Sequence, residues 1–151
     1  MAEIGFYHLT RTGPEQALPQ LLGRTLAAGQ RAVVLCGDQA RVKQLDKLLW
    51  ECAEPVWLPH GWSETGDADL QPIWLAAAEG EPEEPPNGAR YLFLLDGVSR
   101  AELRSFDRVF DLFDGKDPAL VEAARERWRK AKAAGHSLTY WRQGSRGWEK
   151  G

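Results

Sequence analysis

Short apolar runs alternate along the chain with stretches of helical periodicity. Residues 4–9 are β-rich and predict a first strand. Thr12, Gly13, Pro14 and Glu15 read as a capping box with proline in the first turn. The helix it opens carries Leu18, Leu21, Leu22, Thr25 and Leu26 on one face and ends near Gly29. Residues 31–36 are almost continuously apolar, as in a parallel strand covered on both faces. Gly37-Asp38 turns the chain, and Asp38 is placed to cap a helix over residues 41–50. Val42, Leu45, Leu48 and Leu49 form its inner stripe, and Trp50 falls beside them as core packing. Prolines bracket residues 55–59, which read as a short edge strand. Residues 60–71 are a polar loop and 72–76 another short strand. Residues 79–88, rich in Pro, Glu and Gly, read as a mobile loop.

Residues 91–95 (YLFLL) predict a central strand, followed by an Asp96-Gly97 turn and a second capping box at Ser99 and Glu102. Residues 109–113 fit either the end of a helix or a short strand. Asp117-Pro118 caps and opens a long helix that stops at Gly135, residues 138–143 make a last strand, and residues 144–151 are a polar tail. Strands alternating with helices predict an α/β sandwich around a mostly parallel sheet.

At 151 residues, with 43% hydrophobic and 27% charged positions, the chain has the size and composition of one globular domain spanning residues 1–151. A chain of this length buries roughly 70% of its unfolded surface and needs neither disulfide nor metal to fold. No apolar run reaches the ~20 residues of a bilayer span, and the N-terminus lacks the basic and apolar regions of a signal peptide. Cys36 and Cys52 sit in apolar contexts, as reduced core thiols of a cytoplasmic protein do. The net charge of −3 conceals a segregation: residues 64–84 hold seven acids and no base, residues 125–146 seven bases and one acid.

Candidate catalytic chemistry is sparse. Neither GxxxxGK[ST] nor GxGxxG follows a strand, so no phosphate loop is predicted. Asp38 and Asp96, at strand ends, read as helix-cap and turn residues rather than metal ligands. His8, His60 and His136 lack metal-ligand spacing, and the cysteines are not a CxxC pair. The informative segment is the last helix. Arg125, Arg129 and Lys132 share one face with Trp128 between them, while Leu120, Val121, Ala124 and Ala131 form the buried stripe. Such a patch is a solvated basic face, a nucleic-acid site in which Trp128 stacks on a base, or a dock for an acidic peptide with an apolar end lying against Trp128 and Leu138.

The order of several strings bears on that choice. Leu112-Phe113-Asp114-Gly115 precedes Ala124-Arg125-Glu126-Arg127-Trp128-Arg129, and Ala134-Gly135-His136 is followed by Leu138-Thr139-Tyr140-Trp141. Upstream stand Phe6-Tyr7-His8-Leu9, Leu45-Asp46-Lys47-Leu48-Leu49-Trp50 and Trp57-Leu58-Pro59-His60. In this order and spacing, over nearly its whole length, the chain resembles the chi subunit of the bacterial DNA polymerase III holoenzyme. The resemblance implies a three-layer, Rossmann-like α/β/α sandwich without a nucleotide site, no cofactor, and a non-catalytic role in DNA replication. It implies two partners: a psi subunit that tethers chi to the clamp loader, and the acidic C-terminal tail of single-stranded DNA-binding protein, ending in Asp, Ile, Pro and Phe. DNA is then reached mainly through that protein.

By the same resemblance Arg125 matches the base that pairs with the tail carboxylate. Trp128 stands where an aromatic, often tyrosine, lines the tail pocket. Arg129 and Lys132 match the flanking bases, Leu138 and Thr139 the adjacent segment, and Trp57 with Leu58 the psi contact. The resemblance thus selects the acidic-peptide reading. A direct single-stranded nucleic-acid module on the same basic helix is the alternative. The acidic segment 64–84, Trp62 and Trp74 have no counterpart in this assignment.

Overall fold

Alternation of buried side chains builds a sheet whose two faces feed two cores. The computed structural model describes residues 2–52, 58–78, 85–100, 103, 105–145 and 147–151. In chain order the elements are β1 (Glu3–Leu9), α1 (Pro14–Ala27), β2 (Ala32–Cys36), α2 (Gln39–Glu51), β3 (Ile73–Ala77), β4 (Tyr91–Leu94), β5 (Arg108–Asp114), α3 (Pro118–Ala133), β6 (Ser137–Gly144) and β7 (Gly147–Lys150). Seven strands pair in the order β3-β2-β4-β5-β1-β6-β7, all parallel except β7 against β6. Tyr7, Val34, Phe93 and Phe110 point to one face, under Leu18, Leu22, Leu45 and Leu49 of α1 and α2. Phe6, Val33, Leu92 and Phe113 point to the other, under Ala124 and Ala131 of α3. The expected α/β sandwich with a mostly parallel sheet is what forms.

Helix ends follow short-range chemistry. The Asp38 carboxylate accepts from the Arg41 N–H at 2.8 Å and starts α2. Asp117 accepts from Ala119 N–H and Leu120 N–H, and Pro118 opens α3. Gly135 follows α3 at φ +85°, a left-handed value that glycine adopts without cost. The box at the start of α1 sits one residue later than Thr12 and Glu15 suggest: Gly13 is the cap, and its N–H donates to Gln16 Oε1 at 3.0 Å. Pro14 already has helical φ, so the helix begins as soon as the chain can commit to it.

Other expectations change. Residues 109–113 are strand, the middle one of the sheet, and the run from Val109 to Phe113 is buried throughout. The C-terminal residues are not simply a polar tail: β7 forms a hairpin with β6, pairing Gln143 with Trp148. Trp50 is not core but 54% exposed, one position beyond the buried Leu49, and its ring lies 4.4 Å from that of His60. Within residues 60–71, His60 is buried, Gly61 bridges Trp74, and Ala68–Leu70 make a short 3-10 turn. The edge-strand reading of residues 55–59 falls largely outside the described residues, and Leu58 to His60 are irregular. Glu102, half of the second capping box, also lies outside them, and Ser99 is not helical. Residues 79–84 of the acidic loop lie outside as well, but its end is anchored. Buried Asn87 donates to the carbonyls of Ala32 and Gln71, and its own oxygen accepts from the Ala89 N–H.

One polar contact seats α3. Its inner stripe runs Ala124, Arg127, Ala131, and the small alanines let the helix approach the sheet. Arg127 reaches down to Asp111 of β5 through two hydrogen bonds, at 2.5 and 2.8 Å, and also donates to the Gly97 carbonyl at 3.3 Å. The two side chains are 12% and 2% exposed. Burial pushes the Asp111 carboxyl pKa up, and the guanidinium opposes that shift. Removing one partner leaves a buried charge unpaired, so Arg127→Ala is expected to cost about 3–5 kcal/mol in urea denaturation. Asp111→Leu combined with Arg127→Met is expected to recover most of that loss.

Candidate functional site

Helical spacing on α3 and two-residue alternation on β1 meet in one groove. Val121, Ala124, Arg125, Trp128 and Arg129 form its helical wall. Phe6 and His8 of β1, Phe113 of β5 and Tyr140 of β6 form its floor, enclosing ≈ 400 Å³. Strand register makes the floor: Phe6 lies opposite Tyr140, and His8 opposite Phe113. The Trp128 ring meets Phe6 edge-on at 5.1 Å. His8 stacks on Phe113 at 4.9 Å, and its Nδ1 lies 2.6 Å from the Tyr140 hydroxyl. The groove is therefore an aromatic trough held in shape by ring contacts.

Its rim is cationic. Arg125 pairs with Glu122 at 3.5 Å and Arg129 with Glu126 at 2.9 Å, each one turn back on the same helix. These side chains are 66% and 62% exposed, so both pairs are weak and a ligand carboxylate can displace them. An apolar end group in the trough and carboxylates at the rim is the ligand chemistry that fits.

Of the predicted residues, Arg125, Trp128 and Arg129 come together here. Lys132 is exposed one turn further along α3 and does not line the groove. Leu138 packs into the core beneath α3 without reaching the groove. Thr139 points to the opposite face of the sheet, where its hydroxyl accepts from the Trp141 indole N–H at 3.1 Å. Leu58 is 1% exposed, with its side chain in the core under α2. Trp57 lies outside the described residues. Phe6, His8, Phe113 and Tyr140 are the site residues that periodicity alone did not single out. All four stand in the strings that carry the resemblance, and the two-residue spacing of Phe6 and His8 was the available sign that they share a face.

The carboxyl ends of the parallel strands, where open α/β sheets hold ligands, are occupied by protein groups. Arg41 bridges Glu15 at 2.7 Å and Asp96 at 3.2 Å, and Asp96 also accepts from the Gly37 N–H at 3.1 Å. Asp38 is spent on its helix cap. Burial pushes the Cys36 thiol up to about 12, so it stays protonated and unreactive. Among the described residues, no three His, Cys, Asp or Glu side chains are grouped to hold a metal. Among the described residues no helix is long and apolar enough to cross a membrane.

Residues 1–139 match the profile of the family described as DNA polymerase III chi subunit, HolC. The chain belongs to the DNA polymerase III chi subunit family. DNA polymerase III subunit chi of Pseudomonas aeruginosa is 28% identical over 141 residues, covering 91% of this chain and 94% of the relative. The Escherichia coli K12 protein of the same name is 25% identical over 125 residues, covering 82% of each. The chi match takes in β1, β5 and α3, and so all but one of the groove residues. It stops one residue before Tyr140, leaving the end of β6 and all of β7 beyond it.

His8 gives the groove a pH signature. Its pKa is lowered from the ordinary 6.5, chiefly by burial and then by the Arg125 charge. The unfolded chain therefore takes up this proton at higher pH than the folded chain. The stabilising contribution is complete above 6.5 and is lost as pH falls below it. Urea midpoints measured across that window are expected to fall further in the wild type than in His8→Gln.

Proposed function

We propose that the protein is a non-catalytic accessory subunit of the DNA polymerase III holoenzyme. It links the clamp loader to single-stranded DNA-binding protein by receiving that protein's acidic C-terminal tail in the α3 groove. The carrying observation is the pairing of an aromatic trough with two arginines whose own ion pairs are exposed and weak. The tail's terminal phenylalanine lies in the trough against the faces of Trp128 and Phe6 left open, its α-carboxylate meets Arg125, and the preceding acid meets Arg129. Lys132 contributes longer-range attraction from the next turn.

Contact with a psi subunit is assigned to the segment carrying Trp57, with Leu58, whose side chain is in the core, anchoring the chain beside it and not meeting the partner. The exposed Trp50 that precedes it in the chain supports this, since an exposed indole is an effective interface anchor. The protein acts in the cytoplasm as a single domain, and reaches DNA mainly through its partners.

Calorimetry with the tail peptide tests the reading. Charge-assisted hydrogen bonds contribute about 1.5–3 kcal/mol, so Arg125→Ala is expected to weaken binding roughly ten- to a hundredfold while leaving the melting temperature unchanged. Affinity is also expected to drop with salt, because the rim charges are exposed to a Debye length of ~8 Å at physiological ionic strength. Unchanged affinity in Arg125→Ala would remove the site assignment.

A further inference from the structure

On the opposite face of the sheet, the hairpin of β6 and β7 stands beside α1 and leaves a second groove of ≈ 500 Å³. Arg11, Gln20, Arg24, Trp141 and Trp148 line it, and no Asp or Glu does. In a chain of net charge −3 that is a local reversal. Arg11 and Arg24 are both exposed, and neither guanidinium has an ion-pair partner among the described residues. The Trp141 ring lies parallel to Tyr7 at 6.2 Å, and Trp148 meets Tyr7 edge-on at 5.0 Å, so both indoles are held by the core yet half-exposed. The wall behind Arg11 is equally fixed. Gln143 Oε1 accepts from the N–H groups of Arg11 and Thr12, and its Nε2 donates to the Thr12 hydroxyl at 2.6 Å.

We propose that this hairpin groove binds single-stranded nucleic acid. Each part of a nucleotide meets a matching group. Phosphates meet Arg11 and Arg24, base faces meet the two indoles, and a base edge meets the amide of Gln20, which both donates and accepts. Charge complementarity selects this occupant, because two unpaired cations flanking flat π surfaces, with no acid between them, suit a phosphate backbone with stackable bases. The α3 groove is different: its cations are already paired with acids on their own helix, and its floor is closed by packed aromatic rings. The second site would let the protein touch the strand while its other face holds the tail.

Fluorescence anisotropy of a labelled oligothymidylate with the full chain, in the absence of single-stranded DNA-binding protein, tests this. Binding is expected at low salt, with a log–log salt slope of about −1.4 for two phosphate contacts. Arg11→Gln combined with Arg24→Gln is expected to weaken it at least about tenfold and flatten the slope, and Trp148→Ala to weaken it by a similar factor. Arg125→Ala is expected to leave it unchanged, and the arginine double variant to leave tail-peptide affinity unchanged. The proposal is overturned by no oligonucleotide binding, by binding that survives the double variant, by loss of binding in Arg125→Ala, or by an effect of the double variant on the acidic peptide instead. The tail-docking reading is measured by the peptide arm alone, so either can fail without the other.

Discussion

The buried contact between Arg127 and Asp111 is the constraint on which the functional face depends. Helix α3 buries two alanines against the sheet and packs half-buried Val121 and Trp128 beside them, a contact of small and edge-on groups that a directional bond sharpens. A guanidinium held by two carboxylate oxygens and the Gly97 carbonyl supplies that bond. With Arg127 turned down, the neighbours at 125 and 129 rise to the rim and Trp128 leans into the trough. A buried ion pair adds little net stability, because the charges lose their hydration. Its contribution here is register, and the groove inherits that register.

The same contact explains the two least legible parts of the sequence. Residues 109–113 read ambiguously because a charged Asp111 interrupts an apolar run, and Arg127 was indistinguishable from its solvated neighbours in a basic string. Each residue looks misplaced alone, and the pairing is visible only once β5 lies under α3. Where structure is set locally, the pattern was sufficient. Five consecutive apolar residues made β2, Asp38 and Asp117 started their helices, and helical spacing brought Arg125, Trp128 and Arg129 together. The floor was not locally determined, since Phe6 and Tyr140 face each other across a pairing between distant segments. Lys132 shares the helical phase of Arg125, but α3 runs antiparallel to β1, and its last turn has passed the floor. Trp50 follows the inner stripe by one residue, about 100° around the helix, which is enough to put it outside. β7 escaped notice because four residues of mixed polarity acquire strand geometry only from their partner.

A line of rings connects the core to the sheet edge. Phe93 stacks on Phe110 at 4.3 Å, Phe110 on Tyr7 at 5.6 Å, and Tyr7 on Trp141 at 6.2 Å. Four adjacent strands, β4, β5, β1 and β6, each contribute one ring on the α1 and α2 face. The outermost ring therefore belongs both to the core and to the surface. Its orientation is set by packing several strands away, and a flat surface presented this rigidly loses little freedom on contact with another flat molecule.

The placement of β1 has a consequence for how the molecule comes into being. It is made before the other six strands of the sheet, yet it sits between β5 and β6, pairing Ile4 with Val109 on one side and Leu138 on the other. A ribosome adding roughly 5–20 residues per second needs about 5–20 s to deliver the first of those neighbours after β1 emerges. Throughout that interval β1 has no strand on either side; α1 can cover only Tyr7 and Leu9, and Ile4 and Phe6 on the other face depend on a chaperone. Both grooves draw residues from β1 or the turn after it and from β6, so neither exists until β6 has been made. A chain still lacking β6 thus has neither groove, and both arrive in a single late closing step.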